Sequence, residues 1–267
     1  MPAWTSGTVI SKDGTRIAYE VSGSGPTTLV LVAGAMGTKD SPWSRKFAAE
    51  FAKSFRVINY DRRGRGGSTD ATTYSVEREV EDLAAITRFA GGSPIVVGLS
   101  SGAALALEAA ARGVPIGRLV AFEAPYMVGS HFLPRHASYE ADIIGYIARG
   151  DRDGAVKHFM RVVGVPGFVL AIMRLLPMWK ELRKAAHTLP YDAAIMNGFG
   201  VPSTRLAQIR TPTLVVGGGK SPASLKAAVR AVAEAVPGAA FVEIPKQSHA
   251  IQAAALSPVV RQFAQAS

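Results

Sequence analysis

The sequence predicts an α/β fold: a mostly parallel sheet with an antiparallel N-terminal start, flanking helices and an inserted helical cap. Three observations carry this expectation. Short apolar, β-branched runs alternate with helix-forming segments along most of the 267 residues, the pattern of a parallel sheet with crossover helices. One such run, Ile95 to Leu99, breaks at Gly98-Leu99-Ser100-Ser101-Gly102 and continues as an Ala- and Leu-rich helix. Between residues 127 and 207 the alternation gives way to helical periodicity alone.

Taken in order, Thr8–Ile10 and Arg16–Val21 alternate polar and apolar residues across Asp13-Gly14, a hairpin signal that predicts two antiparallel strands. Ser22-Gly23-Ser24-Gly25-Pro26 then interrupts the chain before the strand Thr28–Val32. Arg56–Tyr60 reads as a strand and Val76–Phe89 as a helix. Ile95–Leu99 has the length and branching of a strand buried on both faces, Ser101–Ala111 is a strong helix former, and Arg118–Phe122 is the next strand. The alternation resumes at Thr213–Val216, followed by a helix from about Pro222 to Val236, the strand Phe241–Ile244 and a last helix from Pro258. The expected organisation is a core in two parts, 1–126 and 208–267, around a cap at 127–207. In the cap, Ile143, Ile144 and Ile147, and Val156, Phe159, Met160 and Val163, fall at helical spacing. Phe168, Ile172, Met173, Leu176, Met178 and Trp179 suit either helix packing or a pocket between cap and core.

Composition narrows the chemistry. At 48% hydrophobic residues the chain can bury one large core, or one core with an inserted subdomain. It has no cysteine, hence no disulfide and no thiolate site, and its five histidines show no metal-binding spacing, so neither metal nor cofactor is expected. The first residues, Met-Pro-Ala-Trp-Thr-Ser-Gly, lack a basic segment followed by an apolar one, and a cytoplasmic location is the expectation. Phe89–Leu107 is uncharged and approaches membrane-spanning length, but it contains Gly91-Gly92-Ser93-Pro94 and the glycine–serine break. It reads as strand, turn and helix, and no membrane partner is expected. The net charge of +10 raises the question of nucleic acid. Its basic residues are dispersed apart from Arg62-Arg63-Gly64-Arg65, and no recognition motif accompanies them, so they read as a solvated surface with no nucleic-acid partner. Gly219-Lys220-Ser221 is not a phosphate loop, because the pattern requires glycine where Leu214 stands.

The strand–turn–helix context around Ser100 is that of a nucleophile elbow, in which flanking glycines admit a strained serine whose hydroxyl stands above the sheet. A serine hydroxyl needs a base. His249 follows the last predicted strand by the short loop Pro245-Lys246-Gln247-Ser248, which places it at the carboxyl edge of the sheet, where the elbow also opens. His131, His136, His158 and His187 fall in the cap, where surface or packing roles are expected.

With Val32-Ala33-Gly34-Ala35-Met36-Gly37 and Asp61-Arg62-Arg63-Gly64-Arg65-Gly66-Gly67-Ser68 added to the elbow, the chain resembles an α/β-hydrolase over nearly its full length outside the cap. The resemblance makes the arginine-rich segment a structural turn. It also implies an oxyanion hole formed by the backbone N–H groups of Ala35 and Ser101, although Ala33 stands where the family usually has histidine. The family usually places an aspartate after the penultimate strand, where this chain has Ser221. Glu123, ending the strand Leu119–Phe122 at the same sheet edge as Ser100, is the candidate acid. Its alternative is an ion pair with Arg118 or Arg63. An acid at that strand end resembles zearalenone-type lactone hydrolases and certain haloalkane dehalogenases, and the Ser-Ser-Gly-Ala elbow and Glu-x-Pro segment resemble the former. Dehalogenation by an aspartate nucleophile is excluded by Ser100. The implied activity is hydrolysis of an ester or lactone of a largely apolar small molecule through an acyl-enzyme. Amide, thioester or carbon–carbon cleavage would use nearly the same machinery, and the same fold also hosts ligand-binding pseudoenzymes, lyases and cyclases.

Overall fold

The computed structural model describes residues 4–129 and 134–266, and His131 lies outside them. Before the insertion the elements are β1 (Thr5–Ile10), β2 (Arg16–Ser22), β3 (Thr28–Val32), α1 (Pro42–Phe51), β4 (Arg56–Tyr60), α2 (Val76–Phe89), β5 (Ile95–Leu99), α3 (Ser101–Ala111) and β6 (Arg118–Phe122). The insertion carries α4 (Pro134–Ala137), α5 (Tyr139–Ala148), α6 (Arg152–Val162), α7 (Gly167–Met173), α8 (Pro177–Ala185), α9 (Leu189–Ile195) and α10 (Ser203–Leu206). The chain then closes with β7 (Thr213–Gly218), α11 (Ala223–Ala235), β8 (Ala240–Ile244) and α12 (Ala253–Gln265).

All eight strands join one sheet in the order β1-β2-β4-β3-β5-β6-β7-β8. Strand β2 runs antiparallel to both β1 and β4, and every other pairing is parallel. Burial on both faces explains the unbroken apolar runs of the central strands, and all five residues of β5 are buried. Alternate side chains divide between two cores. Val30, Val32 and Val96 pack on the side of α2, α3 and the insertion, whereas Leu29, Leu31, Val97 and Leu99 pack against α1 and α12. Helix α3 is apolar nearly all round because it lies buried between the sheet and the insertion. The uncharged stretch at 89–107 forms the end of α2, a turn, β5 and the start of α3, and no helix among the described residues is long and apolar enough to cross a membrane.

Two elements differ from the sequence expectation. Helix α1 is additional to the elements that the periodic runs predict, although Ser41-Pro42 is a start signal and Phe47, Ala48 and Phe51 share its buried face. Helix α12 begins at Ala253, upstream of Pro258, because burying Leu256 together with Val260 against the sheet draws the preceding turn into the helix. The two ends of the insertion meet at an isolated bridge between Met127 and Gly200, and α10 is tied to α3 through Arg205 Nε and Glu108, 3.0 Å apart.

The arginine-rich segment departs from a solvated surface. Arg62, Arg63 and Arg65 are buried in a turn that Asp61 organises by accepting from the Lys39 and Gly67 N–H groups at 2.6 and 2.8 Å. Arg63 grips both oxygens of Asp82 at 2.6 and 2.7 Å and reaches Asp13 at 3.1 Å. Removing one partner of such a pair leaves a buried charge uncompensated. Arg63→Ala is therefore expected to cost about 3–5 kcal/mol of stability, read from the denaturation midpoint in guanidinium chloride.

Candidate active site

Ser100 follows β5 with φ 57° and ψ −126°, a left-handed conformation that costs a non-glycine residue about 1–3 kcal/mol. Its surroundings hold it there. The Ser100 N–H donates to the Phe122 carbonyl at 2.9 Å, and the glycines on either side have no room for a side chain. A Cβ at Gly98 would lie 2.6 Å from the Ala103 Cα, and one at Gly102 would lie 2.6 Å from the Ala33 carbonyl oxygen.

The acid candidate leaves the sheet beside it. Strands β5 and β6 are paired in parallel with Leu99 opposite Phe122, so Ser100 and Glu123 emerge at the same edge. Glu123 is fully buried and also strained, at φ 47°. Its Oε1 accepts from the Gly218 N–H at 2.7 Å and from the Ser221 hydroxyl at 2.6 Å, and its Oε2 lies 2.8 Å from His249 Nδ1. His249 Nε2 in turn lies 3.1 Å from Ser100 Oγ, and the imidazole stacks against Phe122 with ring centroids 6.1 Å apart. With Nδ1–H donated to the carboxylate, the Nε2 lone pair faces the serine hydroxyl. Neither arginine considered as an ion partner reaches Glu123: Arg118 donates to the Ala266 carbonyl and Arg63 to Asp82. Ser221, in the place where the family resemblance puts an aspartate, instead donates to the glutamate.

The other two predicted site residues lie across from this row. Ala35 sits in the turn after β3, ahead of Met36 at φ 55°. Ser101 is the first residue of α3, where a backbone N–H has no intrahelical acceptor and forms part of the positive end of the helix dipole. Among the described residues neither N–H has a hydrogen-bond acceptor. Ala35, Ser100, Ser101 and His249 all border one cavity of about 1360 Å³.

None of the apolar residues at 168–179 singled out in the sequence borders that cavity. Phe168, Ile172, Leu176 and Met178 are exposed at 72%, 57%, 46% and 47% and do not border it. Trp179 is buried elsewhere, donating to Asp153 at 2.7 Å, and Met173 packs against the core. Met127, Tyr139, Phe159, Val162, Met196 and Phe199 supply the apolar wall. His136 also borders the cavity, set edge-on to Phe199, whereas His158 stacks on Tyr139 and His187 lies 3.4 Å from Asp70. Asp192, which the sequence did not single out, is buried at the cavity edge. It accepts from Arg62 at 2.8 Å, Arg65 at 2.7 Å and the Ser101 hydroxyl at 2.7 Å. Burial by itself would raise its pKa, but the charges of Arg65 and Arg62 outweigh that cost and hold it below the usual aspartate value.

The alpha/beta hydrolase family model matches residues 29–262. Among solved structures, an alpha/beta hydrolase from Sphaerobacter thermophilus is 45% identical over 97% of this chain and 100% of its own, with a TM-score of 0.90. An esterase from a Rhodococcus species shares the fold at 20% identity and a TM-score of 0.68, over 97% of this chain and 98% of its own. An enol-lactonase from Burkholderia xenovorans does so at 23% and 0.64, over 97% and 100%. No curated protein matches the sequence. Matched along most of its length by the family model and by a relative of 45% identity, the chain belongs to the alpha/beta hydrolase family.

Proposed function

We propose that this protein is a serine hydrolase that cleaves an ester or lactone of a largely apolar small molecule through an acyl-enzyme intermediate. What supports this is the unbroken relay from Ser100 Oγ to His249 Nε2 at 3.1 Å and from His249 Nδ1 to Glu123 Oε2 at 2.8 Å, opening into a cavity walled by apolar side chains. In this reading His249 takes the Ser100 proton as Oγ attacks the carbonyl carbon. The oxygen that becomes negative is held by the Ala35 and Ser101 N–H groups. Glu123 balances the imidazolium, which then protonates the leaving alkoxide. A water activated by the same imidazole releases the acid and restores Ser100. For a lactone the alkoxide stays tethered, and the product is a hydroxy acid. Residues 127–207 act as a cap that supplies Met127, Tyr139, Phe159 and Phe199 to the substrate's apolar portion.

A fluorophosphonate probe is expected to label Ser100, with no labelling of Ser100→Ala. Among p-nitrophenyl esters, kcat/KM is expected to rise about fourfold for each methylene added to the acyl chain until the cavity is filled, since each buried CH₂ contributes about 0.8 kcal/mol. Simple lactones belong in the same panel. Failure to label, together with no turnover of any ester or lactone, would leave a ligand-binding role in place of hydrolysis.

A further inference from the structure

We propose that Asp192, on α9 of the insertion, is a positioning residue that orients both oxyanion-binding N–H groups, acting through Arg65 on one side and the Ser101 hydroxyl on the other. This rests on the assignment of Ser100 as nucleophile and of Ala35 and Ser101 as the oxyanion donors.

In a trans peptide the C=O and N–H groups point in opposite directions. The carbonyl of Gly34 and the N–H of Ala35 belong to one peptide unit, so whatever holds that carbonyl also aims the N–H. The carbonyl is held by Arg65 Nη1 at 2.8 Å and by the Gly37 N–H at 3.1 Å. Glycine at 34 gives the turn no side chain with which to fix itself, and no strand or helix includes residues 33–41. Arg65 is itself immobilised from the insertion: Nε donates to Thr188 Oγ1 at 3.0 Å and Nη2 to Asp192 Oδ2 at 2.7 Å. A planar guanidinium with its donors committed in three directions has no freedom to turn. Its positive charge on the Gly34 oxygen also polarises the peptide and strengthens the Ala35 N–H as a donor.

The residue that carries the second donor is anchored on the same carboxylate: its N–H shares a peptide unit with the Ser100 carbonyl, which accepts from the Ala103 and Ala104 N–H groups at 2.8 and 3.3 Å, and its side chain is what Asp192 holds. The Ser101 hydroxyl donates to Asp192 Oδ1 at 2.7 Å, and Arg62 Nη1 donates to that oxygen at 2.8 Å while lying 3.3 Å from both Ser101 Oγ and the Ala33 carbonyl. Arg62 Nε donates to Glu79 at 2.5 Å, so two arginines and two carboxylates balance in charge in a buried cluster, although Arg62 Nη2 has no partner among the described residues. Ala35 comes from the turn after β3 and Ser101 from the start of α3. Their shared tether is a residue about ninety positions downstream of Ser101, so the insertion sets the geometry of the reaction centre as well as walling the cavity.

The test compares Asp192→Asn and Ser101→Ala with the parent enzyme. The second change keeps the backbone N–H and removes only the hydroxyl, at a helix position where alanine is favourable. The probes are p-nitrophenyl butyrate and an alkyl trifluoromethyl ketone, whose hemiketal anion occupies the oxyanion site. Loss of a whole oxyanion donor costs about 10²–10³ in kcat, and misaiming costs a part of that. Asp192→Asn is therefore expected to lower kcat by about 10- to 100-fold and Ser101→Ala by about 3- to 10-fold. KM should stay within about twofold, and ketone affinity should weaken in step with kcat/KM. A folded Asp192→Asn enzyme that melts earlier but keeps its kcat and ketone affinity would overturn the proposal by reducing Asp192 to a structural part. Should that variant fail to fold, unchanged kcat and ketone affinity in Ser101→Ala would overturn it equally. Full turnover by Ser100→Ala would instead remove the nucleophile assignment, a distinct signature that takes the positioning role down with it.

Discussion

Ser100→Ala is expected to lower kcat by about 10⁶-fold towards any ester the protein cleaves, with little change in melting temperature. The hydroxyl is the group within 3.1 Å of His249 Nε2, and no acyl-enzyme forms without it. In the proposed mechanism, what remains is the attack of water on a carbonyl polarised by the Ala35 and Ser101 N–H groups, worth about 10³–10⁴ over the uncatalysed rate. Stability should hold because alanine at 100 inherits the same φ of 57° and loses no buried hydrogen bond of the scaffold. Ser100→Gly separates the two properties: it should be equally inactive yet more stable by up to about 1 kcal/mol, since glycine occupies that backbone region without strain. Steady-state turnover of p-nitrophenyl esters beside thermal melts checks both. Activity within tenfold of the parent would take Ser100 out of the chemistry.

Glu123→Gln is expected to lower kcat by about 10³–10⁴-fold while the fold persists. The hydrogen bonds dictate the direction of the fault. The Gly218 N–H is a fixed donor 2.7 Å from Oε1, so the amide oxygen of glutamine must take that position and its NH₂ must face His249 Nδ1. Nδ1 then has to accept, the ring proton moves to Nε2, and the imidazole presents a donor where Ser100 needs an acceptor. The loss should appear in kcat with KM nearly unchanged, and fluorophosphonate labelling should slow in parallel. A variant that turns over like the parent would dismiss the glutamate as the acid. Ser221→Ala, which removes one of three hydrogen bonds to that carboxylate, should cost far less.

Local signals made the sheet, the elbow and the meeting of three side chains at one sheet edge legible from sequence. Strand runs end where their apolar residues end, so Ser100, Glu123 and His249 could be placed at one edge from Leu99, Phe122 and Ile244 alone. The proposed acid was harder, since it came from Glu123's place at a strand end together with the family resemblance, which expects a carboxylate where Ser221 stands. The backbone strain at Glu123, φ 47°, marks the position in a way that sequence does not display. The cavity wall was not legible for a related reason. Helical spacing identifies a shared face but not what covers it, and Phe168 and Ile172 share a face that solvent covers, whereas Met127 and Phe199 carry no periodic signal. Asp192 was invisible because its partners Arg62 and Arg65 lie more than 120 positions away, and a basic composition says nothing about which charges go inside.

Carrying the proposed acid on β6 has a consequence for the turn between β7 and α11. The last residue of β7 and that turn give Glu123 only a backbone N–H and a hydroxyl, and the following residues, Pro222 to Leu225, border the cavity. Had the carboxylate stood at 221, every change there would disturb proton transfer. Freed of that duty, the segment becomes the natural place to diversify this scaffold: randomising Ala223, Ser224 and Leu225 should retarget substrate choice while the chemistry survives.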